Sequence, residues 1–421
     1  MEAAASSPRR KRAARLWLAG SVATLLAVLA LGVVGYWAYC QALPPYTPAR
    51  VRMPSPNAYD DYVAAVALLP AGFEQVDVSR DELPEAELRR WAQQLQPALQ
   101  RLRDGFPHEY RNPPVLSFTQ PFPELAQFRV LGRGLVLTGL AAERAGRSDE
   151  AARAYVDCLR LGADVPRGGT LIHGLVGVSI QQMALPRLEA LADRLDARTA
   201  RRLAAELARV DRESIPFDQT LAAERDAGIA GAYELLQGKH GAVPGWSSLR
   251  MLSGQTTPPT LPERWMEVQF AFTPKARVLH DYRAYYDALI AEARKPYGTR
   301  ASPPIPEDAF NRSLAPTFIS AHLRFEERDA VCRVIQSRLA LRAYRLERGV
   351  SPTRLEQLVP RYLPSVPRDP FGTGALLYSP RGLEAQVYSR GPDGDDDGGR
   401  LLRWQYAIGG DGDITTASPR K

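Results

Sequence analysis

Cysteine and histidine, the side chains that most often staple small proteins or bind transition metals, are scarce in this sequence. Its 421 residues include three cysteines and five scattered histidines. No H-E-x-x-H, G-x-S-x-G, P-loop or dinucleotide-binding pattern occurs in it. The composition, with 45% hydrophobic residues, 32 glycines and 35 prolines, excludes a collagen-like, disulfide-stapled or wholly disordered chain. We therefore expect two or three folded parts, and we assign no catalytic or cofactor-binding residue.

A strongly basic body is missing as well, although the formal net charge of the chain is +7. Five basic residues lie within the first fifteen positions, where Glu2 is the one acid, so the rest of the chain carries a net charge of about +3. Such a nearly neutral body does not favour a nucleic-acid partner. No pattern in it indicates a small-molecule substrate.

Charged side chains are absent from residues 16–40, which are dominated by Leu, Val, Ala and Gly. As a helix this stretch spans roughly 37 Å, enough to cross a hydrocarbon core of about 30 Å. Trp17 lies near one end, and Tyr36, Trp37 and Tyr39 lie near the other, where aromatic rings favour the headgroup layer. A cleaved signal peptide is the alternative, but its apolar region is usually only about 7 to 15 residues long. We predict an uncleaved transmembrane helix over 16–40.

The basic residues before the apolar run predict its orientation. Positive charge favours the cytoplasmic side, so residues 1–15 form a cytoplasmic basic tail and the body lies outside. In a bacterium this corresponds to a single-pass protein of the inner (cytoplasmic) membrane, in contact with lipid through residues 16–40. Residues 41–56 contain five prolines and are predicted to form an extended linker. Cys40 lacks the small residues that normally precede a lipidated cysteine, so we treat it as incidental.

Residues 57–320 have the apolar spacing of a helical body. Within it, residues 125–161 contain the segment GLAAERAGRSDEAARAYVDCLRLG, which resembles a tetratricopeptide repeat because Ala142 and Ala151 permit close helix approach and Gly146 turns the chain. No second copy follows, so an ordinary helical hairpin remains the alternative. Helices are predicted over 57–69, 83–103, 125–145, 149–161, 170–194, 197–212, 217–237, 265–272 and 274–294, with irregular stretches at 241–262 and 296–316.

A long helix over 321–348 carries two apolar stripes about 140° apart. The first consists of Cys332, Ile335, Leu339, Ala343 and Leu346, and the second of Val334, Leu341 and Tyr344. A helix with two apolar stripes packs on two sides. We expect one side to face the helical body and the other to face the C-terminal segment.

The C-terminal segment is predicted to contain a short helical turn over 352–358 and two strands over 375–378 and 385–388. The strands form a hairpin, joined through Ser379-Pro380-Arg381-Gly382. The order of AYRLERG, LEQLVPRYL, RDPFGTGALLYS, QVYSRGPDG and GDGDI after a long helix is similar to the C-terminal domain of the type II secretion major pseudopilin. The resemblance covers about the last ninety residues. It implies that residues 321–421 form a small α+β module with a short antiparallel sheet, so the fold class is mainly α.

The resemblance also implies a calcium site, since the terminal loop of that family binds this ion. Carried over to this sequence, the ligands are Asp393, Asp413, the neighbouring Asp411 and the backbone carbonyl of Arg390. Calcium takes six to eight oxygen ligands, which such a loop supplies. A solvated, mobile acidic tail is the alternative. The chain lacks the family's prepilin cleavage site and has a large helical body, so the resemblance does not extend to membership of a secretion filament.

Two classes of function remain open. The first is a noncatalytic, envelope-exposed interaction or scaffold protein with an envelope protein partner, linked to secretion or pilus-like machinery. The second is a membrane-tethered extracytoplasmic hydrolase, whose site would be a cleft with converging carboxylates or histidines.

His322 and Glu326 lie four residues apart, and we expect a solvated helix pair there. Cys158 and Cys332 are expected to be buried free thiols, with a disulfide between them as the alternative.

Overall fold

The computed structural model of the chain describes residues 8–78, 83–237, 260–314, 318–380, 385–400 and 412–415, and it is mainly helical with a small antiparallel sheet, as predicted. Its contacts divide the chain into one unit of Met1–Thr47, Gly231–Ala284 and Ile305–Leu314 and another of Pro48–Ala230, Tyr285–Pro304 and Ala315–Lys421. The helices are α1 (Pro8–Gln41), α2 (Ala58–Val66), α3 (Glu85–Gln94), α4 (Gln96–Gly105), α5 (Pro123–Arg144), α6 (Ser148–Asp164), α7 (Leu171–Ala192), α8 (Ala197–Glu213), α9 (Phe217–Leu236), α10 (Leu261–Ala271), α11 (Lys275–Ala293), α12 (Ala309–Leu314) and α13 (Phe318–Arg348). The strands are β1 (Leu377–Ser379), β2 (Gln386–Ser389) and β3 (Ile414–Thr415).

In the first unit, α1 contains the predicted apolar run. Residues Leu16–Gln41 form one helix that is long and apolar enough to cross a membrane, and their side chains are exposed along almost the whole length. The residues after it, up to α2, form no helix or strand. Two of them still have partners in this unit, because the Tyr233 hydroxyl donates to the Pro44 carbonyl and Tyr46 stacks on the Tyr233 ring.

Two helices in this unit, α10 and α12, differ from the prediction, and a side-chain cap explains each difference. Helix α10 begins at Leu261 instead of 265, because the Glu263 carboxylate accepts from the backbone N–H of Thr260 and closes a capping box. Helix α12 lies in a stretch that we predicted to be irregular. The Asp308 carboxylate accepts from the Asn311 N–H at 2.9 Å and caps it.

In the second unit, consecutive helices α5, α6 and α7 pack against one another. Gly146 turns the chain between α5 and α6 with a φ of 75°, a conformation that favours glycine. The single helix predicted over 83–103 is wrong: α3 and α4 are separate helices that meet at Leu95. Pro97 explains the break, since a proline has no N–H to donate to the preceding turn and fits the start of a new helix.

Helix α13 contacts α7 and α8 and also β2 and β3, which confirms the predicted packing on two sides. Leu339 is fully buried and Leu341 is 2% exposed, so both apolar stripes are covered. Leu346, which we assigned to the first stripe, is 47% exposed. Ion pairs also hold the helix, because Arg338 contacts Glu189 of α7 and Arg333 contacts Asp211 of α8.

The C-terminal sheet has the strand order β1-β2-β3, with both pairs antiparallel. Tyr388 of β2 lies between Leu377 of β1 and Thr415 of β3. The two predicted strands are present with their bounds shifted by one or two residues, whereas β3 was not predicted. The proposed hairpin turn includes Arg381 and Gly382, which lie outside the described residues.

All three cysteines are buried free thiols. Cys158 donates from Sγ to the Gly132 and Ile180 carbonyls at 3.6 and 3.3 Å. The expectation of free thiols is confirmed, and the alternative of a Cys158–Cys332 disulfide is wrong. Cys40 donates from Sγ to the Phe272 carbonyl at 3.1 Å.

Candidate functional site

Carboxylates converge in the loop that follows β2. One oxygen each from Asp393, Asp395 and Asp397 lies within 4.8 Å of the others. Across residues 390–400 and 412–415 there are five aspartates and two arginines. Negative charges so close together repel one another, and the three carboxylates are near enough to share one cation.

The two chain segments that form the loop are in close contact. Gly391 has a φ of 75°, and a Cβ added to it would lie 2.2 Å from the Gly412 carbonyl oxygen. The Gly412 N–H donates to Asp393 Oδ2 at 2.9 Å, and the Asp413 N–H donates to the Arg400 carbonyl at 2.7 Å. These bonds place Asp413, which is distant in sequence, next to the acidic run.

Asp369 anchors the start of this loop, a role that the sequence analysis missed. It is 3% exposed, and it accepts hydrogen bonds from the Ser389 hydroxyl at 2.6 Å and from the N–H groups of Phe371 and Arg390 at 3.1 and 3.0 Å. A buried carboxylate with three donors fixes the backbone around it. The aspartate in the RDPFG segment was the available signal, but its partners lie about twenty residues further along the chain.

Two buried carboxylate oxygens of the loop have no hydrogen-bond partner within the described part of the chain. They are Asp397 Oδ2 and Asp413 Oδ1. Burial raises the pKa of Asp413 to about 6, and the nearby negative charges of Asp396 and Asp397 add to the effect. Unpaired buried carboxylate oxygens cost free energy, and a hard cation is the partner that oxygen ligands accept best.

Of the four predicted calcium ligands, one lies in the group of converging carboxylates. Asp393 belongs to the converging group, whereas Asp395 and Asp397, which the family resemblance did not assign, complete it. Asp413 is buried beside the group without joining it, and the backbone N–H of Arg390 is bound to Asp369. Asp411 lies outside the described residues.

A second feature is a cleft of about 1080 Å³ on the helical body, formed by α3, α4, α5, α6 and α8. Small side chains of α5 and α6, among them Ala142 and Ala154, line it and leave the space open. Seven arginines and four acidic residues line the cleft, so its lining carries excess positive charge. The arginines are Arg89, Arg103, Arg147, Arg153, Arg160, Arg202 and Arg209.

The arginines of the cleft differ in their pairing. Arg103 is held by Asp157 at 2.7 Å, and Arg147 by Glu150 at 2.8 Å. Arg160 lies with its guanidinium carbon 4.4 Å from the centre of the Phe106 ring and donates to the Phe106 carbonyl. Arg160 and Arg209 form no salt bridge with any residue that the structure describes. The charge of Arg160 also acts on the nearby carboxylates of Asp157 and Asp164, so Arg209 is the less engaged of the two arginines.

A third feature is a cavity of about 210 Å³ beside α13, lined by His322, Arg300, Tyr297, Phe217 and Ser302 among others. His322 Nε2 lies 3.2 Å from Glu326 Oε1, and Arg300 Nη1 contacts both side chains. The His322 ring stacks on Phe217, with centroids 4.5 Å apart. The side chains of His322 and Glu326 are only 13% and 14% exposed, so the expected solvated pair is wrong.

The pKa values of this pair are shifted in opposite directions. Burial, together with the adjacent Arg300 charge, lowers the pKa of His322 to about 3. Burial and the charge of Asp329 raise the pKa of Glu326 to about 7. His322 is therefore neutral at physiological pH, and Glu326 exchanges its proton near that pH.

The lowered pKa of His322 predicts acid sensitivity. As the pH falls below about 6.5, the unfolded chain binds a proton on this histidine before the folded chain does, so stability is lost between about pH 6.5 and 3. At pH 5 the loss from this group amounts to about 2 kcal/mol. We expect His322→Gln to be less destabilised than the unaltered chain when denaturant unfolding at pH 5 is compared with pH 7.5. An equal loss in both proteins would contradict the assignment.

No protein-family model, curated protein or solved structure matches this chain.

Proposed function

We propose that this chain is a single-pass membrane protein whose body lies outside the cytoplasm and acts as a noncatalytic interaction module. The arginine-lined cleft carries the proposal, because it offers a concave surface lined by small residues and, within the described part of the chain, two arginines that form no salt bridge. Such a surface suits an acidic segment of an envelope protein partner, which would bring carboxylates to Arg160 and Arg209.

A labelled poly-glutamate peptide tests the cleft directly. We expect the full chain in detergent to bind it, and Arg160→Glu with Arg209→Glu to weaken binding at least tenfold, because two attractions become repulsions. The matched control is the double charge reversal Arg198→Glu with Arg354→Glu, at exposed positions that do not line the cleft. Equal losses in both double variants would indicate a non-specific charge effect and would contradict a role of the cleft.

The membrane anchor and its orientation are supported by the apolar helix and its basic flank. Protease added to spheroplasts is expected to degrade the chain beyond about position 45 and to leave the tail before Leu16 protected. Full protection of the body would reverse the proposed topology.

The C-terminal part of the proposal is a pseudopilin-like module stabilised by calcium. Asp393, Asp395 and Asp397 would supply carboxylate oxygens, and the free oxygens of Asp397 and Asp413 are the observation that supports an ion. Within residues 385–400 and 412–415 there is no histidine or cysteine, so oxygen-seeking calcium suits the loop better than zinc. In this role the ion holds the two loop segments together and takes part in no reaction.

The cavity at His322 favours a second candidate function, a membrane-tethered hydrolase. It brings together a neutral histidine, a carboxyl with a pKa of about 7 and a serine hydroxyl, which are the components of general-base and nucleophilic catalysis. In this reading Ser302 is the nucleophile, and Glu326, which contacts His322 and has a pKa of about 7, is the general base. A fluorophosphonate probe would then label the full chain, and Ser302→Ala or Glu326→Gln would abolish labelling, whereas Ser351→Ala would not. No labelling of the unaltered chain would leave the cavity with a structural role.

A further inference from the structure

Helix α10 presents apolar side chains to the outside. Leu261 is 82% exposed, Trp265 62%, Val268 48% and Phe272, the residue that follows the helix, 36%. The positions are separated by four, three and four residues, so at 100° per residue they fall within about 60° of one another on a single face. Single exposed apolar residues are common, but a continuous stripe that includes a tryptophan needs a partner.

The opposite face of the same helix is already occupied by protein. Phe270 is 3% exposed and stacks on the Phe310 ring, with centroids 6.1 Å apart. The ammonium group of Lys275 lies 3.8 Å from the centre of the Phe270 ring and donates to the Phe270 carbonyl. These contacts fix the rotation of α10, so the exposed stripe cannot turn inward without breaking them.

The end of α10 is attached to the end of the apolar helix α1. The Cys40 thiol donates to the Phe272 carbonyl at 3.1 Å, and Gln41 Nε2 donates to the Ala271 carbonyl at 2.7 Å. The rings of Tyr36 and Phe272 are nearly parallel, with centroids 6.4 Å apart and 9° between their planes. The end of the stripe therefore lies at the level of Tyr36 to Gln41, the aromatic edge of the predicted membrane span.

From this placement we propose that the exposed stripe of α10 is a lipid-binding surface, which lies in the outer headgroup layer of the membrane that α1 crosses. The inference rests on the proposed membrane anchor, because α1 brings the stripe to the bilayer edge. Tryptophan and phenylalanine favour this layer, where the ring is buried and the polar groups stay hydrated. Arg264 and Gln269, exposed beside the stripe, provide polar flanks suited to headgroups. At about 1.5 Å per residue, α10 would cover roughly 16 Å of the surface.

Lipid fits this face better than a protein partner because the face is continuous with a surface that must itself be covered by lipid. The side chains of Tyr36, Trp37 and Tyr39 are exposed at the end of α1, next to Phe272. In a bilayer these rings and the stripe of α10 would form one aromatic belt. The structural consequence is that α10, through its bonds to Cys40 and Gln41, would fix the first unit against the membrane surface instead of leaving it on a free tether.

The test uses a fluorescent label in the full chain, reconstituted into vesicles of phosphatidylcholine and phosphatidylglycerol. Trp265→Cys is labelled with the environment-sensitive dye NBD, and the unaltered chain, whose three thiols are buried, measures background labelling. Gln269→Cys provides a label on the flank of the same helix, and Arg89→Cys, at a side chain that is 65% exposed on α3, provides a reference in water. Brominated phosphatidylcholine quenches dyes that contact lipid.

We expect the label at position 265 to be blue-shifted and to lose at least half of its fluorescence in brominated vesicles, with weaker quenching at 269 and none at 89. A label at 265 that behaves like the one at 89, in a chain that stays in the vesicles after an alkaline carbonate wash, would overturn the proposal while leaving the anchor intact. A blue shift at 265 without quenching would mean that protein covers the stripe, which also overturns it. Release of the chain by carbonate would overturn the anchor and the inference together.

Discussion

Replacing Leu339 with aspartate is expected to unfold the second unit or to lower its free energy of unfolding by several kcal/mol. The side chain is fully buried at the face where α13 packs in the core with α7 and α8. The substitution removes apolar contacts worth about 2 to 5 kcal/mol and places a carboxylate in the hydrophobic core. Leu341→Asp should have a similar effect, because Leu341 is 2% exposed on the other stripe of the same helix.

The measurement is denaturant unfolding of the full chain in detergent, followed by circular dichroism. Leu346→Asp is the matched control, since it introduces the same charge on the same helix at a side chain that is 47% exposed. We expect it to change stability by no more than about 0.5 kcal/mol. If Leu341→Asp were as mild as Leu346→Asp, the second stripe would face water and the packing of α13 on the C-terminal module would be wrong.

Calcium is expected to raise the thermal stability of the C-terminal module, and removing calcium with a chelator should reverse the gain. An ion that binds only the folded state stabilises it by RT ln(1 + [L]/Kd), which is roughly 2.7 kcal/mol at a hundredfold excess over Kd. Asp393→Asn and Asp397→Asn should each abolish most of this gain. The amide keeps the shape of the side chain, and at position 393 it can still accept from the Gly412 N–H, but the charge that attracts the ion is lost.

Asp396 provides the control within the same acidic run. Its Oδ1 accepts from the Tyr388 hydroxyl at 3.1 Å and from the Gly398 N–H at 3.0 Å, so its role is in the loop itself. Asp396→Asn should alter stability by the same amount with calcium and with chelator, and the calcium gain should persist. Calorimetric melting curves that coincide in calcium and chelator for the unaltered chain would reduce the loop to a solvated acidic segment.

The sequence alone was sufficient for features that depend on local pattern. The uncharged run over 16–40 determines a membrane-length helix, because no buried face is needed to produce it. The two apolar stripes of the long helix determined that it packs on two sides. The prediction missed the start of α10 and the whole of α12. Both depend on side-chain caps, which Glu263 and Asp308 provide. In a sequence, a capping residue cannot be distinguished from other polar loop residues, because its role depends on which backbone N–H group it binds.

The features that carry the proposals come from tertiary structure. Arg160 of α6 and Arg209 of α8 line one cleft, although they are 49 residues apart in the sequence, because α6 and α8 pack against each other. His322 and Glu326 looked like a solvated pair, but Arg300, from a different part of the chain, lies against both side chains. The acidic residues of the C-terminal loop were evident from the sequence, whereas burial decided that one oxygen each of Asp397 and Asp413 has no hydrogen-bond partner among the described residues. Sequence periodicity shows which residues share a face of one helix. Charge pairing, burial and pKa depend on neighbours from other elements, and only the folded chain brings those together.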